Sequence, residues 1–149
     1  MNPPSLSARD QFTWPIDILF YNGVFYGYIM PRLKSGVKNL NEIYEPSRRK
    51  GIPWQYYIHV AKNLCLAVRA LHECGHAIGD LNPNNIVVDK DGLVTLVDTD
   101  SYHIVDVNQD MYRCPVGMGM YLPRELHGVN FESAPCNSLR RHIALWPRQ

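Results

Sequence analysis

Three patterns of apolar positions mark elements along the chain. Ile16 to Tyr21 and Val24 to Met30 are apolar runs separated by Asn22-Gly23. Asn-Gly between two such runs predicts a β-hairpin. From Pro53 to Glu73 the residues Tyr57, Val60, Ala61, Leu64, Val68 and Leu71 recur at steps of three, one, three, four and three. That spacing draws one apolar stripe along a helix. Pro53 suits the first helical turn, and Gly75 suits the cap just past the end. The third pattern is Ile86-Val87-Val88 and Leu93-Val94-Thr95-Leu96-Val97 around Asp89-Lys90-Asp91-Gly92. It predicts a second hairpin, turning at Lys90 to Gly92. Between these elements, Leu33 to Gly51 reads as a polar, solvated connector. Residues 1–15 carry proline and serine without a period and read as an irregular lead-in. Two hairpins and one long helix make the chain α+β.

The second hairpin has a chemical consequence. A hairpin brings its outer ends together, so Asn85 and Asp98 should lie side by side, with Asp80 one loop away. Each aspartate alone would be an ordinary turn residue bonding local backbone N–H groups. Together, two carboxylates and an amide oxygen suit Mg²⁺, which binds through one or two carboxylates plus substrate phosphates and water. Two competing metal readings fail on geometry. His72, Cys74 and His76 lie two residues apart and do not share a helix face, and no fourth ligand completes a tetrahedron. Placing Gly92 sixth in a calcium loop puts Val87 first, where an oxygen ligand is required.

Composition narrows the setting. The chain has 149 residues, 46% of them hydrophobic, and a net charge of +1. One globular domain is the natural expectation. So small a charge gives no field to steer nucleic acid or anionic lipid. No apolar run approaches the ~20 residues of a membrane span. The first ten residues, MNPPSLSARD, hold no apolar signal core. The four cysteines, at 65, 74, 114 and 136, have no Cys-x-x-Cys spacing, so reduced thiols and a cytoplasmic setting are expected. Residues 133–149 carry Arg140, Arg141 and Arg148 without an apolar period and read as a disordered basic tail.

The spacing of Asp80-Leu81, Asn85 and Asp98 resembles the protein-kinase pattern H-R-D-L-x-x-x-N, hairpin, D-F-G. GMGMYLPREL, from Gly117 to Leu126, resembles the end of a kinase activation segment, with Glu125 where the A-P-E glutamate falls. The chain is most similar to a bacterial kinase-like family whose loop reads GDLNPNN and whose magnesium motif reads VDTDS. Some members of that family are fused to helix-hairpin-helix segments. The resemblance covers about Trp14 to Glu132.

The resemblance implies a partial protein-kinase-like domain over residues 16–132. Its parts would be the end of an N-lobe sheet, a hinge, a long central helix, a catalytic-loop hairpin and an activation segment. Met30, Arg32 and Leu33 would form the nucleotide-binding hinge; Pro31 has no N–H to donate. Asp80 would be the catalytic base. Asn85 and Asp98 would hold Mg²⁺ (or Mn²⁺) against ATP. Asp100, Gly117 and Glu125 would belong to the activation segment. The acceptor would be a hydroxyl, of serine or threonine in a protein.

The sequence also departs from the pattern. Ile78 and Gly79 replace His-Arg before Asp80, and a glycine cannot pair with a phosphorylated loop. Asn82 stands where many kinases carry lysine. Thr99-Asp100 replaces Phe-Gly, and Pro123-Arg124 replaces Ala-Pro. No Gly-rich loop and no V-A-I-K lysine precede Ile16. A kinase domain cut at both ends is therefore expected, weak or inactive alone. The alternative expectation is a non-catalytic, pseudokinase-type module that binds a nucleotide or a protein. Either way, an apolar face left uncovered should favour self-association.

Overall fold

The computed structural model describes residues 4, 6–48, 51–114, 117, 119–122 and 124–131. Asp17–Tyr21 (β1) and Val24–Ile29 (β2) pair antiparallel around Asn22-Gly23, both at positive φ. The chain then makes a short strand, Lys38–Asn39 (β3), and a short helix, Leu40–Tyr44 (α1). Trp54–Glu73 (α2) follows as a 20-residue helix with Pro53 at its N-cap. Cys74 is its C-cap and Gly75, at φ +89°, stands one residue beyond. The second half holds Ala77–Ile78 (β4), Ile86–Val88 (β5), Val94–Leu96 (β6), Tyr102–Val105 (β7) and Met111–Tyr112 (β8). These strands form two small sheets, ordered β3-β5-β6 and β4-β7-β8. The architecture is α+β, as the mixture of periods implies.

The β5–β6 hairpin pairs Ile86 with Leu96, Val87 with Thr95 and Val88 with Val94. Asp89 closes its turn: the backbone N–H groups of Asp91 and Leu93 both donate to Asp89 Oδ1 at 2.9 Å. Gly92 sits at φ +78°, and a Cβ there would lie 3.0 Å from His59 Cδ2 on α2. Only glycine meets both demands cheaply. α2 packs against β6, and the core between them holds Val60, Val68 and Leu71 with Ile86, Val88, Val94 and Leu96.

The stripe on α2 is shifted from its expected course. Ala61 is exposed and Leu64 half-buried, whereas Asn63 and Ala67 are buried. Asn63 is inside because its Nδ2 donates to the Gly92 carbonyl at 2.8 Å; a buried amide needs such a partner.

Two further stretches differ from the simple reading. Leu6–Gln11 is a 3-10 helix, and Phe12 and Trp14 are core residues. Phe12 bridges to Leu96, and Thr13 N–H donates to the Leu96 carbonyl at 3.0 Å. Residues 6–14 thus line the open edge of β6 rather than leading into the fold. The connector from Leu33 is anchored as well: Leu40 and Ile43 are buried, and β3 pairs with β5. The tail expected over residues 133–149 lies outside the described residues.

Candidate functional site

Residues 79–85 join β4 to β5. Gly79 N–H donates to the Ser101 carbonyl at 2.9 Å, tying this loop to the turn before β7. A Cβ on Gly79 would collide with that carbonyl and lie 2.8 Å from Cys114 Cβ. A side chain at Gly79 would therefore force the Ser101 or Cys114 backbone to shift. Asn82 then starts a 3-10 turn, Pro83–Asn85, and caps it: its side-chain oxygen accepts from Asn84 N–H at 2.9 Å. Asn85 N–H returns to the Asn82 carbonyl, and Val97 N–H donates to the Asn85 carbonyl. That last bond closes the open end of the β5–β6 hairpin beside Asp98.

The side chains meet there. Asn85 Nδ2 lies 3.3 Å from Asp80 Oδ2 and 3.4 Å from Asp98 Oδ2, and 3.1 Å from the Asp80 carbonyl oxygen. Asn82 Nδ2 donates to Asp80 Oδ2 at 2.9 Å. Asp98 is held at φ 60°, ψ 50°, a left-handed conformation uncommon for a non-glycine residue. Ser101 stabilises that turn by donating from its hydroxyl to the Asp98 carbonyl at 2.7 Å. Thr99 Oγ1 reaches the Thr13 carbonyl at 3.2 Å, so the N-terminal segment also braces the turn.

Electrostatics follow from this crowding. Burial first, then the hydrogen bond with Asp100 and its negative charge, hold the Asp98 carboxyl above the ordinary carboxylate range. The Ser101 hydroxyl opposes this and the Asp80 charge adds to it. Tyr28, on β2, is raised by burial, by the charge of and hydrogen bond to Asp100, and by Asp98. Tyr102 is raised by burial and then by Asp98. Like charges converging on one turn are what a divalent cation relieves.

The residues present fit such a cation in chemistry: Asp98 and Asn85 offer hard oxygen atoms, the type Mg²⁺ takes. Among the described residues, no group of three or more His, Cys, Asp or Glu is arranged to hold a metal alone. A cation here would draw its remaining ligands from phosphates and water.

The other expected site residues fall nearby or along the surface. Asp100 lies beside Asp98 and Tyr28. Gly117 packs under the loop: a Cβ there would lie 3.3 Å from the Gly79 carbonyl oxygen and 3.0 Å from Leu122 Cδ2. Glu125 is in the 3-10 turn Arg124–Leu126, whose Leu126 is buried with Ala77 and Phe131. Met30, Arg32 and Leu33 are exposed in the segment after β2, two to five residues beyond Tyr28. Sequence reasoning did not assign Tyr28 or Ser101 to this site, and it marked Asn82 only as standing where many kinases carry lysine. Asn82 carried a readable signal, an Asn-Pro pair with a backbone N–H two residues on, which favours a side-chain cap.

Comparison with known proteins gives the relationship. No family model matches the chain. The chain is 36% identical over 108 residues to protein kinase YegI of Escherichia coli K12, across 70% of this chain and 16% of that protein. It is 29% identical over 108 residues to the serine/threonine-protein kinase PTK2/STK2 of Saccharomyces cerevisiae, across 68% of this chain and 13% of that one. With the Citron rho-interacting kinase of Rattus norvegicus it shares 32% identity over 72 residues, 48% of this chain and 3% of the relative. The chain thus spans about a sixth or less of the length of these relatives. Together with the α+β architecture, these similarities support a protein-kinase-like relationship for the chain.

Proposed function

We propose that the chain carries the catalytic-loop core of a phosphotransferase. It would move the γ-phosphoryl group of ATP, with Mg²⁺ or Mn²⁺, to a hydroxyl of a protein serine or threonine. The observation that carries this reading is the convergence of Asp80, Asn85 and Asp98, with Asn85 Nδ2 within 3.4 Å of both carboxylates. The similarity to kinases supports it. In the step, the acceptor oxygen bonds to the γ-phosphorus while the bond to the β–γ bridging oxygen breaks, and ADP leaves with that electron pair. Asp80 takes the hydroxyl proton. Asp98 and Asn85 would hold the cation, which supplies charge neutralisation at the phosphates. Met30, Arg32 and Leu33 offer the adenine contacts, and Asp100, Gly117 and Glu125 shape the acceptor side.

This sequence has no glycine-rich loop and no V-A-I-K lysine ahead of β1. Charge-assisted bonds contribute about 1.5–3 kcal/mol each. Losing two or three moves a micromolar nucleotide site toward roughly millimolar. The expected behaviour of the isolated chain is weak, Mg²⁺-dependent ATP binding and little transfer. ATP titrations with and without Mg²⁺, and a labelled-phosphate assay, test this. Asp98→Asn should abolish the metal dependence. Asp80→Ala should leave binding intact and remove transfer, because a base acts in the transition state. Turnover that survives Asp80→Ala would sink this assignment of roles.

A second reading, a non-catalytic module that binds a partner protein, is favoured by one observation. Eleven large apolar residues from Ile16 to Met30 are each 36% to 74% exposed. Metal-independent nucleotide binding with no transfer would favour that module.

A further inference from the structure

We infer that Asn82 is a positioning residue of this loop, whose amide holds the carboxylate of Asp80 instead of reaching for the transferring phosphate. The inference rests on the phosphotransfer reading above and deepens it. Asn82 is 2% exposed. Both ends of its amide are engaged: Oδ1 accepts from Asn84 N–H at 2.9 Å, and Nδ2 donates to Asp80 Oδ2 at 2.9 Å. Pro83, buried and with its φ fixed, follows directly. The turn it caps is tied outward, since Asn84 Oδ1 accepts from Asn41 Nδ2 on α1 at 3.0 Å. Asp80 Oδ2 also receives Asn85 Nδ2, at 3.3 Å.

A carboxylate on a loop is free to rotate unless its oxygens are bonded. Two amides on one oxygen fix the plane of the Asp80 carboxyl, and of the two Asn82 has the shorter bond. To contact a phosphate, Asn82 would have to leave a buried position and break both of its bonds at once. A lysine in its place has no acceptor, so Asn84 N–H would lose the oxygen that caps the turn. The neutral amide thus gives the loop orientation where many kinases carry a cation. Lost orientation of a base lowers the rate of transfer, with nucleotide affinity unchanged.

The cap and the clamp can be separated by one substitution. Asn82→Ser stays neutral and keeps a capping oxygen to accept from Asn84 N–H, but is too short to donate to Asp80. A purely structural cap predicts no loss for this variant. The clamp predicts a fall in kcat of about 10- to 100-fold, with the KM for ATP and the Mn²⁺ affinity within about twofold. Asn82→Lys should fall likewise; a gain in kcat would mean that this position contacts phosphate, and would overturn the inference.

Independently of turnover, the side-chain NH₂ resonances of Asn82 in a ¹⁵N spectrum of the full chain should exchange slowly and shift in Asp80→Ala. Resonances that stay unmoved in Asp80→Ala would also overturn it. The two readings fail differently. Turnover that survives Asp80→Ala, with the Asn82 resonances shifted, removes the phosphotransfer assignment and leaves the contact. Turnover that Asp80→Ala destroys and Asn82→Ser leaves intact removes the clamp alone.

Discussion

Gly79 is under the tightest steric constraint in the site. The Ser101 carbonyl and Cys114 Cβ occupy the space where its side chain would stand. Gly79→Ala must push the Thr99–Ser101 turn or the Cys114 segment aside, and overpacking of this kind costs about 1–3 kcal/mol. Chemical denaturation should show that loss, and Gly79→Arg should prevent a cooperative transition. His103 is the second residue with a measurable consequence. It is fully buried on β7, and neither ring nitrogen has a hydrogen-bond partner among the described residues. Burial first, and then the charge of Arg113, lower its proton affinity below the ordinary histidine range. The folded chain therefore keeps the ring neutral, while the unfolded chain takes up a proton near about pH 6.5. Below that pH the unfolded state binds the extra proton, so His103 makes stability fall as pH falls toward its lowered folded value. Urea midpoints from pH 7.5 downward should decline, and His103→Phe should flatten part of the slope.

At the scale of elements, α2 recognises the turn of the β5–β6 hairpin as well as its apolar face. Asn63 Nδ2 holds the Gly92 carbonyl, and Tyr56 Oη donates to the Asp89 carbonyl at 2.7 Å. The hairpin's open end holds Asn85 and Asp98, so anchoring its closed end on a long helix gives the site a rigid lever. Asn63→Leu leaves a buried carbonyl without its donor, at a cost of about 1–3 kcal/mol. Tyr56→Phe removes a partly buried bond and should cost about 0.5–1.5 kcal/mol. Denaturation measures both costs. Amide exchange should show the β5–β6 strands opening more often in Asn63→Leu.

At the scale of the whole molecule, the β1–β2 hairpin is exposed along both strands, with Gly27 alone half-buried. Asp17 is its one charged residue between Ile16 and Met30. Natural sheets guard exposed edges with charges. Apolar patches above a few hundred Å² mark interaction or aggregation surfaces. The chain should bind a hydrophobic dye while folded and form concentration-dependent oligomers, and Phe20→Lys with Tyr26→Lys should reduce both. A monomer with no dye binding at high concentration would show that this hairpin is covered in solution. Among the described residues no helix is long and apolar enough to cross a membrane.

The sequence by itself determined what local rules encode. Asn-Gly and Asp-Gly set the two turns, the 3.6-residue period set α2, and the spacing of Asp80, Asn85 and Asp98 around a hairpin set their meeting. These signals act within about twenty residues, where turn chemistry and periodicity decide the backbone. Tertiary structure alone decided the rest. Thr13 meets Leu96 and Thr99 across more than eighty residues, so nothing local in the lead-in announces that Phe12 and Trp14 are core. Asn63 reads as a break in an apolar stripe until Gly92 is brought to it. Gly79 reads as a missing arginine until Ser101 and Cys114 fill the space where a side chain would go. In each case the deciding group arrives from a distant segment, because burial and hydrogen-bond satisfaction belong to the packed chain and not to any window of it.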